Sequence, residues 1–321
     1  MQTFTSLDSV RLAAEGRPKV VCLGMFDGMH KGHRALIEFT RNEAGRRQGL
    51  AVVFSFQNHP LSLLAPAYAP ALLTPWPRKV RLFDQLGLDI AVVVPFDPTI
   101  KSMSPDAFVR DVLIDRCDAA LAVCGYDFRF GREAAGTPRM LVDLMRGAGR
   151  DAAILPEIKI QDVTVSSTLV RDLISQHRVD EAPRYLGDYY RLEGRVVSGR
   201  GRGRTIGFPT ANLDVDPQAL VPPGGVYAVT VPHGGRTWPG MLNIGRRPTF
   251  ETEGERSIEV HLIGFEGDLG GQMLEVAFLA YLRPERRFES PEALVAQLQR
   301  DRAQTLAVAA RPSPHLTHTG R

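Results

Sequence analysis

The strongest constraint on the fold is a change of texture along the chain. Up to about residue 187, short apolar, β-rich runs alternate with stretches of helical periodicity. The runs at 20–23, 51–56, 90–94, 119–124 and 152–155 have the length and composition of buried strands. Ser104-Pro105-Asp106 predicts a helix N-cap, a proline at the first helical position and an acidic first turn. The helix it opens places Phe108, Val112 and Cys117 on one side, and Val80, Phe83 and Leu86 repeat that spacing in an earlier helix. The glycine-rich turn after the first strand leads into a further helix expected over 34–47. Such alternation predicts a parallel sheet covered on both faces, with ligands bound beyond the carboxyl ends of its strands.

From Tyr189 the helices vanish until the last stretch. Residues 192–198, 226–231, 241–244, 257–263 and 274–281 read as strands divided by turn signals such as Pro-Pro-Gly-Gly and His-Gly-Gly. That pattern predicts an antiparallel sheet or small barrel, closed by one helix over 291–306 with Leu294, Leu298, Asp301 and Ala303 at helical intervals. A length of 321 residues allows two domains at roughly 150 residues each. We expect limits of 1–187 and 188–308, with a loose polar tail at 309–321.

Composition narrows the class. A hydrophobic fraction of 44% with 23% charged residues fits a globular protein and excludes collagen, a disordered chain or a coiled coil. No run approaches the ~20 apolar residues of a membrane span, and the N-terminus lacks the basic-then-apolar pattern of a signal peptide. Cys22, Cys117 and Cys124 have no metal-type spacing, which suits a reducing cytoplasm. The net charge of +3 gives no reason to expect nucleic acid or a membrane as partner.

Two segments carry chemistry. After the first strand, Gly24, Gly28 and Gly32 lie where the chain turns into a helix, a place where backbone N–H groups can meet phosphate. His30 and His33 face the same spot and can donate to phosphate oxygens. A plain glycine turn with two solvent-facing histidines is the alternative; zinc is not, because no further ligands have suitable spacing. The second segment is Arg200-Gly201-Arg202-Gly203-Arg204-Thr205-Ile206-Gly207-Phe208-Pro209-Thr210-Ala211-Asn212. In an extended strand Thr210 and Asn212 project together, offering hard oxygen ligands to a Mg2+ that carries nucleotide phosphates. Glu259 lies on a strand face opposite Ile258, Val260 and Leu262, and by spacing alone it reads as a solvated surface carboxylate. His261 shares that face without an assigned role.

Gly24-x-Phe26-Asp27-Gly28-x-His30-x-Gly32-His33 resembles the nucleotidyltransferase signature of the bacterial bifunctional riboflavin kinase/FAD synthetases. Phe54-Ser55-Phe56-x-x-His59-Pro60, Gly125-Tyr126-Asp127-Phe128-Arg129-Phe130-Gly131 and Ser166-Ser167-Thr168-Leu169-Val170-Arg171 match further family patches in order. In the second half, the segment ending Gly207-Phe208-Pro209-Thr210-Ala211-Asn212 is similar to the riboflavin kinase motif, as are Asn243-Ile244-Gly245-x-Arg247-Pro248-Thr249-Phe250 and Ile258–Leu262. The resemblance implies a Rossmann-like α/β nucleotidyltransferase domain followed by a β-barrel kinase domain. It implies phosphorylation of riboflavin to FMN, then adenylylation of FMN to FAD, with ATP as co-substrate and Mg2+ as metal.

It further implies site residues. For adenylyl transfer these are His30 and His33 as catalytic groups, with Gly24, Phe26, Asp27, Gly28, Gly32, Asp127, Ser167, Thr168 and Arg171 binding nucleotide. For the kinase they are Glu259 as base, Gly201, Arg204, Gly207, Pro209, Thr210 and Asn212 around the phosphates, and Thr210 with Asn212 on the metal. Leu169 stands where the family usually carries a basic residue, so a chain active only as a kinase is the alternative within enzymes. Outside enzymes, the Arg-Gly tract offers a nucleic-acid- or flavin-binding regulator, although no aromatic residues interleave with its arginines.

Overall fold

A computed structural model describes residues 1–12, 16–199, 203, 206–246 and 256–311. The chain divides into two compact units, Met1–Ser167 and Thr168–Arg321.

The first unit is built on six parallel strands: β1 (Gln2–Phe4), β2 (Lys19–Leu23), β3 (Leu50–Phe56), β4 (Ile90–Val94), β5 (Ala119–Gly125) and β6 (Asp151–Leu155). Their order in the sheet is β1-β4-β3-β2-β5-β6. Five of these strands were legible as apolar runs; β1 was not, because three mostly exposed residues at a sheet edge carry no pattern. Both faces are covered. Val21, Leu23, Val52, Phe54 and Val92 face one apolar cluster, and Val20, Cys22, Val53, Ala91 and Val93 face the other, the period-two alternation of a doubly buried strand. Winding from β2 through β3 to β4 runs one way and from β5 to β6 the other. The switch point therefore falls between β2 and β5, where ligands of such sheets bind.

Helix α1 (Lys31–Arg46) follows β2, starting three residues before the expected position because His30 caps it: the His30 Nδ1 accepts from the His33 amide at 3.3 Å. After it come α2 (Leu61–Leu64), α3 (Trp76–Gln85), α4 (Pro98–Ser102) and α5 (Pro105–Ala107). The Ser104 hydroxyl accepts from the Ala107 amide at 3.1 Å, and α5 widens into a π-helical stretch at Phe108–Ile114. Phe108, Val112 and Cys117 are buried on one side, as their spacing predicts. Helix α6 (Pro138–Gly147) leads to β6, and a small hairpin, β7 (Lys159–Ile160) with β8 (Val163–Thr164), precedes α7 (Ser167–Ser175). The division between units falls in the first turn of α7, so α8 (Ala182–Leu186) belongs to the second unit.

The second unit is a closed antiparallel barrel of β9 (Arg191–Val197), β10 (Ala211–Val215), β11 (Gly225–His233), β12 (Arg236–Arg246), β13 (Arg256–Leu262) and β14 (Met273–Arg283). Around the ring the order is β10-β13-β12-β11-β14-β9. Gly234 and Gly235, both at positive φ, form the two-residue turn between β11 and β12. In contrast to that eleven-residue-long β12, β10 meets β13 through two residue pairs, Ala211 with Val260 and Asn212 with Glu259. Helix α9 (Pro291–Ala309), capped by the Ser290 hydroxyl, packs over β11, β12 and β14. Leu298 packs with Val295 against Phe208, Met241 and Ile263, Leu294 is half-buried, Ala303 is exposed and Thr305 is buried. Asp301 is fully buried and grips Arg283, accepting from its Nη2 at 2.8 Å and its Nε at 3.0 Å.

Candidate active sites

The loop leaving β2 is held in a costly shape. Phe26, Gly28 and Met29 have φ of 51°, 85° and 46°, and the two non-glycine residues each carry roughly 1–3 kcal/mol of strain that surrounding contacts must impose. Those contacts come from all sides. The Asp27 carboxylate, 1% exposed, accepts from the amides of Leu73 at 3.1 Å and Thr74 at 2.8 Å. The Gly28 amide donates to the Thr74 hydroxyl at 3.2 Å. The Met25 carbonyl accepts from the Ser55 hydroxyl at 3.1 Å and from Lys79 Nζ at 2.8 Å.

Phe26 and Asp27 thus sit differently from the nucleotide-facing positions their motif implies. The Phe26 ring is wholly buried, edge-on to Phe83 at 5.4 Å and beside His33 at 5.2 Å. The Asp27 carboxylate points at backbone amides, which keeps its negative charge engaged within the protein. Both residues shape the cradle. Gly24 and Gly32 border it closely: an added Cβ would lie 3.1 Å from the Phe26 ring and 3.2 Å from the His30 ring.

The imidazoles of His30 and His33 stack at 3.6 Å with 14° between their planes. Because His30 Nδ1 accepts the helix-capping bond, its neutral form carries the proton on Nε2, leaving that N–H as a donor. Burial first, then the neighbouring His30 and Lys79 charges, hold the His33 pKa well below the ordinary imidazole value. His33 is therefore neutral at pH 7, and its Nδ1 is buried without a hydrogen-bond partner among the described residues. The Ser167 hydroxyl donates to the Asp27 carbonyl at 2.8 Å, tying the start of α7 to this loop. Thr168 is exposed and Arg171 lies one turn later on the same helix side; both belong to the second unit. Asp127 is exposed in the loop after β5, the other strand of the switch point.

Lys79 was missed in the sequence. It is fully buried, and its ammonium donates to the carbonyls of Met25 at 2.8 Å and Phe56 at 2.9 Å. The signal was its spacing: Lys79 and Phe83 are four apart in α3 and share its apolar face.

In the barrel, the cross-strand register sets Asn212, Glu259 and Asn243 side by side on β10, β13 and β12. The Glu259 carboxylate accepts from the Thr210 hydroxyl at 3.3 Å and the Ser257 hydroxyl at 3.0 Å. It is half-buried and engaged, in contrast to the freely solvated residue that spacing alone suggests. The side chain of Asn243 donates to Glu285 at 3.0 Å. Asn212 is 7% exposed and abuts Gly199: a Cβ there would lie 2.0 Å from the Asn212 amide nitrogen and displace that side chain.

His261, unassigned from sequence, anchors the neighbouring loop. Its Nδ1 donates to the Pro209 carbonyl at 2.7 Å and its ring meets Phe208 at 5.2 Å. Burial holds its pKa below the ordinary imidazole value. Gly207, at φ 81°, and Pro209 are exposed on this loop. Gly201 and Arg204 lie outside the described residues, as do most of the Arg-Gly tract and residues 247–255. Among the described residues no group of three His, Cys, Asp or Glu could hold a metal ion. The oxygens of Thr210 and Asn212, beside the Glu259 carboxylate, fit a Mg2+ that completes its shell with nucleotide phosphates and water.

Comparison with known proteins identifies a family for each half of the chain. The FAD synthetase family model matches residues 12–169 and the riboflavin kinase family model matches residues 186–309. A bifunctional riboflavin kinase/FMN adenylyltransferase from Listeria monocytogenes is 36% identical over 90% of this chain and 92% of its own. Its counterpart in Escherichia coli K12 is 36% identical over 88% of this chain and 90% of its own. A solved structure from Streptococcus pneumoniae, described as a macrolide-efflux protein, superposes with a TM-score of 0.84 at 29% identity, covering 95% of this chain and 98% of that one. No helix among the described residues of the present chain is long and apolar enough to cross a membrane.

Proposed function

This chain belongs to the bifunctional riboflavin kinase/FMN adenylyltransferase family, and from that membership we propose how its residues divide the two reactions. Riboflavin is phosphorylated by ATP to FMN in the second half, and FMN is adenylylated by ATP to FAD and pyrophosphate in the first. We assign the work to functional segments 1–187 and 188–308, with 309–321 as a tail.

In the kinase, Glu259 is the base. Its Oε2 accepts a hydrogen bond from the Thr210 hydroxyl, and a remaining lone pair of the carboxylate takes the proton of the ribityl 5′-hydroxyl as that oxygen attacks the γ-phosphorus. The bond from γ-phosphorus to the bridging oxygen breaks, and ADP leaves. Thr210 and Asn212 would hold Mg2+, which would neutralise phosphate charge. His261 fixes the loop that bears Thr210.

In the adenylyltransferase, a phosphate oxygen of FMN attacks the α-phosphorus, and the bond to the pyrophosphate oxygen breaks. No side chain bonds covalently to substrate, so catalysis is placement and charge stabilisation. The stacked His30 and His33 donate to phosphate oxygens. Gly24, Gly28 and Gly32 leave room for the anion, Ser167, Thr168 and Arg171 hold the triphosphate, and Asp127 contacts the nucleotide or flavin side. We place the enzyme in the cytoplasm, a reading supported by three cysteines that are all free thiols.

The observation that carries this assignment is the alignment of Glu259 between Asn212 and Asn243 across three strands. Incubating the chain with riboflavin, ATP and Mg2+ and separating the flavins by chromatography tests it: FMN appears first and FAD follows. Accumulation of neither product would refute the assignment.

A further inference from the structure

The cradle after β2 depends on which way its peptides face. A carbonyl turned outward would repel a polyphosphate, whereas an N–H turned outward would bind it. At Met25 the carbonyl is turned inward, and two donors hold it there: the Ser55 hydroxyl from β3 and the Lys79 ammonium from α3. The same ammonium holds the Phe56 carbonyl at the end of β3. One buried cation therefore joins the carboxyl ends of two neighbouring strands directly beneath the loop that carries His30 and His33. The charged groups that face it are Asp27 from the loop itself and His33 from α1, with His30 stacked on the latter. Asp27 is engaged by two backbone amides, His33 is neutral and Arg34 binds the Met29 carbonyl from α1, so Lys79 is the fully buried positive charge on the Met25 side of the cradle.

We propose that Lys79 is a positioning residue for adenylyl transfer: its buried ammonium fixes the inward-facing Met25 carbonyl and supplies positive charge under the phosphate cradle. The proposal rests on the assignment of this loop to FMN adenylylation. Burial lowers the Lys79 pKa from the ordinary ammonium range to about 8, with Asp27 opposing the shift. The charge is thus present at pH 7 and is lost in mildly alkaline solution. Conversion of FMN to FAD should then fall as pH rises through about 8, while FMN formation in the barrel does not follow that limb. Stability moves the other way. The unfolded chain keeps this proton up to about pH 10.4, so losing it from the folded state stabilises wild type between those values.

The test uses the full chain and its two activities. In Lys79→Met, FAD formation from supplied FMN falls at least tenfold, chiefly in kcat, its limb near pH 8 disappears, and FMN formation from riboflavin persists. The melting temperature of wild type rises relative to that of the variant between pH 8 and pH 10, a change that lost packing alone would not produce. Wild-type FAD formation in Lys79→Met at every pH overturns the proposal, provided that His30→Ala abolishes FAD formation. If His30→Ala also leaves FAD formation intact, the assignment of the site itself falls and the proposal with it. Should Lys79→Met lose its folded first unit by circular dichroism, the wild-type profile decides: a rate unchanged from pH 7 to 9.5 refutes the role.

Discussion

The Thr210 hydroxyl donates to the Glu259 carboxylate across 3.3 Å, joining the loop before β10 to the strand that carries the proposed base. Replacing Glu259 by alanine removes the proton acceptor and the anchor together. FMN formation should fall ~10²–10⁴-fold, the usual contribution of a general base. Conversion of supplied FMN to FAD should stay near wild type. Chromatography of the two flavin products measures both on one sample, and a variant that keeps its kinase rate would remove Glu259 from the base role.

Replacing His30 and His33 by alanine should have the reverse effect. Each removes a donor from the phosphate cradle, a change expected to cost ~10²–10³ in rate where it stabilises transition-state charge. FMN should then accumulate without further conversion.

His33 also predicts a pH dependence of stability. Its folded pKa lies well below the ordinary value, chiefly through burial, whereas in the unfolded chain it takes a proton near pH ~6.5. Acidification below that value favours the unfolded state, by up to ~1.4 kcal/mol for each pH unit per proton. Urea unfolding monitored in the first unit should show a steeper loss between about pH 6.5 and 5 for wild type than for His33→Gln. Equal slopes would contradict the buried, neutral imidazole.

His261 holds the Pro209 carbonyl through Nδ1. His261→Ala frees that loop and should raise the KM for ATP in FMN formation about tenfold, near 1.4 kcal/mol for a lost hydrogen bond. His261→Asn, whose side-chain amide reaches the same carbonyl, should restore most of it. FAD formation from FMN serves as the internal reference, and failure of asparagine to rescue would show that the ring packing on Phe208 matters more than the hydrogen bond.

Asp301 is fully buried and binds Arg283, itself largely covered. Asp301→Ala strands the guanidinium against the barrel and should cost ~3–5 kcal/mol. Thermal unfolding of the second unit would report the loss; a change under ~1 kcal/mol would mean that water reaches Arg283 freely.

Much of this architecture could be read from residue order because local chemistry and tertiary role coincide. Runs such as Ile90–Val94 are apolar at every position because both faces of the parallel sheet are buried. The Gly-Gly turn after His233 and the Ser104 cap were visible for the same reason: each is fixed by its own few residues. Long-range contacts were what the sequence concealed. Nothing near Phe26 reveals that its ring goes inward to meet Phe83, or that Asp27 serves Leu73 and Thr74 almost fifty residues away. Lys79 gains its meaning only from α3, which places it beneath the loop. Glu259 reads as a surface carboxylate by alternation and as a base by resemblance; the register, unseen in the sequence, sets it beside Asn212.

A ring of strands has no spare edge, so its weakest joint governs how it parts. Here that joint is the brief contact between β10 and β13, and one of its two pairs is Asn212 with Glu259. Amide protons at this seam should exchange sooner than those along the longer β11–β12 border. Mutational tolerance is narrowed as well: under the proposed assignment, any change at position 212 or 259 is screened at once for ring closure and for turnover.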